Sequence, residues 1–263
     1  MTESTHRTTA RILDILELVA EHPTGITLAD ISRRLDIPKS SLHPLVTTLS
    51  ARRYLSYNHR EEQYYAGESL FVYGNKFINN VDILEQIRGV LLSVNQKINE
   101  TLYFGVLSGL DVLYLVKMDL FSQFRVMSNP GNKLPAYSTG YGKALLSQYS
   151  PEQIERLYPE GTLKPITEHT IKTVAELNSQ LSEVRRTGFS YEKGESTDGI
   201  QCVATSIDVD GVILAGMSIA VPEFRYSSER EALFKELLLD AKVQIRRIIS
   251  EHRNHWIYSG ELL

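Results

Sequence analysis

Residues 27–50, TLADISRRLDIPKSSLHPLVTTLS, hold two short apolar stripes too close together to form one continuous helix. Leu28, Ile31 and Leu35 recur at helical spacing in the first, and Leu42, Leu45, Val46 and Leu49 in the second. A turn through Asp36 and Ile37 separates them. Asp36 stands where such a turn usually has glycine, and Asp is one of the few residues that tolerates a left-handed backbone. Thr27 is the expected N-cap of the first helix, with Asp30 three residues on in a near capping box. Two short helices about a turn of three to four residues form a helix-turn-helix.

The flanks extend the pattern. Upstream, ARILDILELVAEHP places Ile12, Ile15, Leu16 and Val19 at helical spacing and stops at Pro23. Downstream, Tyr54-Leu55 and Tyr64-Tyr65 bracket the polar tip Asn58-His59-Arg60-Glu61, which predicts a β-hairpin. Residues 1–66 therefore spell a winged helix-turn-helix. In that arrangement the second helix of the motif enters the major groove of double-stranded DNA while neighbouring elements hold phosphates. Lys39, Ser40, Ser41, His43, Thr47 and Thr48 are the expected contacts of that helix, Arg60 that of the wing tip, and Arg52 and Arg53 lie near the DNA backbone. The same pattern is also met by three packed helices and a hairpin that bind nothing. Charge leans towards a polyanion: residues 1–60 carry a formal +2 and the remaining 203 residues −6, for −4 overall.

Beyond residue 66, the stretch ESLFVYGNKFINNVDILEQIRGVLLSVNQKIN reads as helix without a clear break, its first part (67–81) a linker and its second the start of a new domain (82–263). The period then changes. ETLYFGVLSG and DVLYLVKMD predict a hairpin about Ser108-Gly109, and FRVMS a third strand. STGYGKALLSQ enters a helix that continues through PEQIERLYP. TVAELNSQLSEVRRTG is an amphipathic helix stopped by Gly188. FSYEKG, IQCVATSIDVDG and VILAGMSIAV are further strands, before a long closing helix over SSEREALFKELLLDAKVQIRRIISEH. The fold class expected is α+β, an antiparallel sheet flanked by helices. One cysteine excludes a disulfide framework, and no Cys/His spacing predicts a structural zinc; no cofactor is expected. No basic region followed by an apolar run opens the chain, and no apolar stretch nears the ~20 residues that span a bilayer, so no membrane is expected and the cytoplasm is.

Several dispersed segments resemble the IclR family of bacterial transcription regulators in order and spacing over roughly residues 8–250. They are IPKSSLHPLVTTL with RRYL, then FRVMSNPGNKLPAYSTGYGKALLS, TIKTVAELNSQLSEVRRTGFSYEKGES and GIQCVATSIDVDGVILAGMSIAVPEFR. The resemblance implies a GAF-like effector domain that binds a small carboxylate, and a homodimer, commonly paired into tetramers, on palindromic operator DNA near a catabolic operon. It implies repression more often than activation. The pocket it implies holds Gly140, Tyr141, Glu192, Ile200, Cys202, Ser218 and Ala220. Gly140 and Tyr141 would offer backbone N–H groups at the start of a helix, Ser218 a hydroxyl, and Glu192 an acceptor for a ligand hydroxyl.

This chain departs from the family pattern in the pocket and in the reading helix. Glu192 stands where Asp is usual and Ala220 where a second serine is usual, so the pocket is retuned; a sugar acid or related hydroxy-carboxylate is the effector class the sugar-acid branch implies. Pro44 replaces an arginine that is usual in the reading helix. Near a helix start it loses one hydrogen bond or none, so the first turn is expected to be distorted or the regular helix to begin late. Two other readings stay open: a ligand-responsive oligomer that has lost operator binding through Pro44, and a cysteine-dependent enzyme using Cys202. Against the enzyme, no histidine lies between His169 and His252, and IQCVATSI is an apolar strand in which a buried thiol is the ordinary state.

Overall fold

The computed structural model describes residues 6–78, 82–119, 129–253 and 256, and the chain divides into two units, 1–81 and 82–263. The first runs α1 (Arg7–Ala20), β1 (Ile26–Thr27), α2 (Leu28–Arg34), α3 (Lys39–Ala51), β2 (Leu55–Asn58), β3 (Gln63–Ala66) and α4 (Glu68–Ile78). Thr27 caps α2: its Oγ1 accepts from the Asp30 N–H at 3.1 Å and donates to Asp30 Oδ2 at 2.7 Å. Asp36 takes φ +50, the left-handed conformation that turns α2 into α3. Ile37 is buried in that turn, held by Ser32 Oγ donating to its carbonyl at 2.7 Å. Ile15, Ile31, Leu42 and Val46 are fully buried, each worth about 1.5–3 kcal/mol of transfer free energy.

The two-residue β1 is absent from the sequence reading. It pairs with β3 (Ile26↔Tyr64, Thr27↔Gln63), so the wing is a three-stranded sheet in the order β1-β3-β2. Two residues are too few to show alternation, and β1 exists only because β3 offers it an edge. Arg53 (φ +61) turns the chain from α3 into β2, and its carbonyl accepts from the Ser69 N–H at 3.0 Å. A Cβ on Gly67 would stand 2.2 Å from that carbonyl oxygen. Gly67→Ala is therefore expected to destabilise the first unit by about 2 kcal/mol, the usual range for forced overpacking. Hydrogen exchange of the α3 amides in the full chain reads this, and unchanged protection would show that the α3–β2 turn is slack.

The second unit runs α5 (Asp82–Ile98), β4 (Thr101–Ser108), β5 (Asp111–Met118), β6 (Lys133–Pro135), α6 (Gly140–Leu146), α7 (Pro151–Leu157), α8 (Val174–Thr187), β7 (Ser190–Lys193), β8 (Ile200–Val209), β9 (Val212–Pro222) and α9 (Ser228–Glu251). The strands form one antiparallel sheet in the order β6-β5-β4-β9-β8-β7. Both faces are covered, so strand residues alternate between two cores. Leu102, Phe104, Met217, Ile219 and Val203 join α5 and α9 on one face. Tyr103, Cys202, Ala204 and Ala220 meet α6 and α8 on the other.

One expectation changes here, and two others reach outside the described residues. The helix expected to run on through PEQIERLYP is two helices, because Ser150 forms a capping box with Gln153 and starts α7 afresh, with Pro151 in its first turn. The helical stretch expected from 67 to 99 is described as α4 and α5, one in each unit, with 79–81 outside the described residues. The FRVMS strand also lies outside them, and the third strand described in that region is β6, paired with β5. The amphipathic helix α8 forms as expected, between a Thr173–Glu176 capping box and Gly188 at φ +79.

Candidate ligand pocket and nucleic-acid interface

On α3, the buried side chains Leu42, Val46 and Leu49 leave Lys39, Ser40, Ser41, His43, Pro44, Thr47 and Thr48 exposed. The distorted first turn expected from Pro44 is not found. Pro38 is the N-cap, and its carbonyl accepts from the N–H groups of Ser41 (2.9 Å) and Leu42 (3.0 Å), so α3 is regular from Lys39. Pro44 falls at the sixth helical position, beyond the turn whose N–H groups are unpaired anyway. Its missing N–H leaves the carbonyl of Ser40, an exposed residue, without its helical donor.

The two threonines are already engaged. Thr47 Oγ1 donates to the His43 carbonyl and Thr48 Oγ1 to that of Pro44, each at 2.8 Å, so in this arrangement what their hydroxyls have left to offer is acceptor lone pairs. Arg52 is exposed at the end of α3. Arg53 pairs with Glu68 at 2.7 Å, an exposed ion pair of small worth that a phosphate can displace. Arg60 is exposed at the wing tip, its N–H held by Asn58 Oδ1 at 3.0 Å.

In the second unit, strand register assembles the pocket. Glu192, Cys202, Ala220 and Thr101 form one row across β7, β8, β9 and β4, and Ser190, Ala204, Ser218 and Tyr103 form the next. Residues two apart share a face, so both rows point at α6. Most of these side chains are small, and α6 comes close: a Cβ on Gly140 would lie 3.2 Å from Cys202 Cβ and 3.3 Å from Ala204 Cβ. All seven expected effector residues, Gly140, Tyr141, Glu192, Ile200, Cys202, Ser218 and Ala220, line one cavity together with Tyr103, Tyr114, Thr139, Ser196 and Thr197. Thr139 Oγ1 takes the Gly142 N–H at 3.1 Å, while the N–H groups of Gly140 and Tyr141 have no backbone acceptor among the described residues.

The cavity encloses only about 20 Å³, room for roughly one water. Aromatic rings take up one side: Tyr103 meets Tyr114 edge-on at 4.9 Å, and Tyr114 meets Tyr141 at 5.4 Å. The Tyr103 hydroxyl is buried and has no hydrogen-bond partner among the described residues. Glu192 is buried, which raises its pKa; the Cys202 thiol donating to Oε2 (3.0 Å) and the Ser196 N–H donating to Oε1 (3.0 Å) act the other way. Burial, then the neighbouring Glu192, pushes the Cys202 thiol well above its ordinary pKa, the opposite of an activated nucleophile.

Behind this pocket lies a group the sequence reading missed. Lys143, fully buried on α6, donates to Glu195 Oε1 at 2.6 Å and to Gln180 Oε1 at 2.7 Å. Burial raises the Glu195 pKa, while Lys143 and the nearby Lys193 backbone N–H lower it. Lys143 sits three residues from Gly140, inside an apolar run, and that register was its one sequence cue. Tyr103 was legible as sharing its strand face with Thr101. Among the described residues, no group of three or more His, Cys, Asp or Glu is placed to hold a metal, and no helix is long and apolar enough to cross a membrane.

A winged helix-turn-helix and an antiparallel-sheet domain with a polar-lined pocket, carried in one chain, are the parts of a transcription regulator. The model of the IclR helix-turn-helix domain matches residues 8–59, and that of the bacterial transcriptional regulator IclR C-terminal domain matches residues 75–247. The chain belongs to the IclR family of bacterial transcription regulators. It is 31% identical over 232 residues to the HTH-type transcriptional regulator BhcR of Paracoccus denitrificans, covering 88% of this chain and 83% of that one. It is 28% identical over 243 residues to the regulator KdgR of Dickeya chrysanthemi, covering 92% and 79%. The crystal structure of an IclR homolog from Microbacterium hydrocarbonoxydans, complexed with 4-hydroxybenzoate, superposes with a TM-score of 0.80 at 21% identity, over 92% of this chain and 99% of that one. The enzyme reading has no support in these relatives, which are regulators.

Proposed function

We propose that the protein is a homodimeric repressor that reads a palindromic operator through the exposed face of α3 and is controlled by a small hydroxy-carboxylate bound between α6 and the sheet. The observation that carries the effector part is the convergence of Gly140, Tyr141, Glu192, Ile200, Cys202, Ser218 and Ala220 on one cavity. The unpaired N–H groups of Gly140 and Tyr141 and the Ser218 hydroxyl suit a carboxylate, and Glu192 and the Tyr103 hydroxyl suit ligand hydroxyls. The 4-hydroxybenzoate of the homolog above is itself a hydroxy-carboxylate. For DNA, Lys39, Ser40, Ser41 and His43 carry the face, Thr47 and Thr48 accept from base amines, and Arg52, Arg53 and Arg60 meet phosphates. Leu13, Phe71 and Val72 are exposed on the first unit and support pairing of two copies, which a palindrome with half-sites about 34 Å apart requires.

A volume near 20 Å³ does not admit such a ligand, so effector binding selects a form in which α6 and the tyrosine rings stand back from the sheet. That is the means of control: an effector shifts the protein only as far as it prefers one form over the other. Thermal unfolding of the full chain with a panel of four- to six-carbon sugar acids tests it. At a hundredfold excess over Kd, the effector is expected to add about 2.7 kcal/mol of stability. Ala220→Leu, which fills the cavity, should abolish the shift; a shift that survives it places the ligand elsewhere.

A further inference from the structure

The exposed face of α3 changes character along its length. Its start carries hydrogen-bond donors, on Lys39, Ser40, Ser41 and His43. From Pro44 onward the exposed residues of the helix are Pro44, Thr47, Thr48 and Ala51, and none of their side chains has a proton left to give. Thr47 and Thr48 spend their hydroxyl protons on the carbonyls of His43 and Pro44. The helix contains no arginine, and its one lysine stands at its first position. This stretch therefore presents apolar carbon (the Pro44 ring, two threonine methyls and the Ala51 methyl) and acceptor lone pairs on the threonines. His43 Nδ1, 3.5 Å from Thr47 Oγ1, occupies at most one of that oxygen's two lone pairs.

Base pairs differ in what they ask of such a surface. In the major groove a G·C pair shows the O6 and N7 acceptors of guanine and the N4 amine of cytosine. An A·T pair shows the N6 amine and N7 of adenine and the O4 and methyl group of thymine. Acceptor lone pairs suit an amine, and apolar carbon suits a methyl. Only the A·T pair offers both. A guanine set against this stretch would have O6 and N7 taken from water with no donor to meet them, which costs more than a hydrogen bond left unformed in solvent.

We infer that Pro44 is a base-reading residue, which with Thr47 and Thr48 selects A·T pairs in the operator: its ring meets a thymine methyl, and a threonine oxygen accepts from the adenine amine. The inference rests on α3 being the helix that enters the major groove. Pro44 to Thr48 spans about 6 Å along the helix axis, close to two base-pair steps of about 3.4 Å. Each half-site therefore carries about two adjacent A·T pairs at this place, beside pairs read by the donors at the start of α3. The proline is a specificity element in its own right, not merely the loss of a cation.

Selection of bound duplexes from a randomised pool by the full chain, followed by anisotropy titrations on the selected site, tests this. The selected half-site is expected to hold the adjacent A·T pairs. Replacing thymine by uracil there removes only the methyl and should weaken binding about fourfold, the worth of one buried methyl-sized group. The salt slope should not change, because no phosphate contact is touched. Pro44→Ser, which removes the ring, should lose the sensitivity to uracil at one of these pairs. Pro44→Arg, put through the same selection, should exchange one of them for G·C, since arginine pairs with guanine O6 and N7. Uracil tolerated at every thymine, or Pro44→Ser as sensitive as the wild type, overturns the assignment and leaves operator reading intact. A pool that yields no common sequence overturns both.

Discussion

Lys143→Met is expected to destabilise the second unit by about 3–5 kcal/mol, the largest effect of any single substitution considered. The lysine is fully buried and neutralises Glu195, itself 5% exposed. Removing one member of a buried pair leaves the other as an uncompensated buried charge, and that is where a cost of this size arises. The double variant Lys143→Met/Glu195→Leu should recover most of the loss, because an apolar pair of similar volume needs no desolvation of charge. Guanidinium unfolding of the wild type, both singles and the double closes the cycle. Additive singles would mean that the pair does not interact across this wall.

The deficit should also depend on pH. In Lys143→Met, Glu195 loses the partner that lowers its pKa and keeps the burial that raises it above the ordinary 4.5. A group whose folded pKa is raised contributes stability that is complete below its unfolded pKa and lost as pH rises through the folded one. The variant is therefore closest to wild type near pH 4 and falls behind as pH rises. A deficit that is constant with pH would show that Glu195 is not the residue left stranded.

Pro44→Ala is expected to stabilise the first unit by about 2 kcal/mol. Proline at an interior helical position costs about 3 kcal/mol through the missing bond to the Ser40 carbonyl and the crowding of that carbonyl, and it returns up to about 1 kcal/mol by restricting the unfolded chain. Had α3 begun at Ser41, the substitution would be nearly neutral, so the measurement also tests the helix start. Pro44→Arg should share the stability gain and add a cation to the reading face. Comparing the two on the same DNA isolates the charge: a phosphate contact steepens the slope of log K against log salt by about 0.9, while a base contact changes discrimination by roughly 1–3 kcal/mol.

What the sequence could show and what it could not divide along physical lines. Local chemistry was legible: Asp36 in a left-handed turn, Thr27 capping α2, and Gly188 ending α8 each depend on a few adjacent residues. Features set by tertiary pairing were not. β1 exists because β3 offers an edge, and Lys143 meets a carboxylate 52 positions away. Pro44 was misplaced because the start of α3 is decided by the Pro38 carbonyl, which receives two N–H groups, rather than by the serines that look like caps. The seven pocket residues came from family resemblance; the structure adds the reason they meet, which is the register of three strands under one close-packed helix. That the cavity is nearly closed was not visible in any residue.

The central claim is that α3, with Pro44 in it, still reads a specific operator. Fluorescence anisotropy of the full chain against its own upstream intergenic DNA and a shuffled duplex, at two salt concentrations, tests this directly. Binding at least about a hundredfold tighter to the intergenic sequence is the predicted result, since specific sites commonly exceed non-specific ones by a thousandfold or more. Equal, steeply salt-dependent binding to both duplexes would contradict it and leave an oligomer that answers to a ligand without reading DNA sequence.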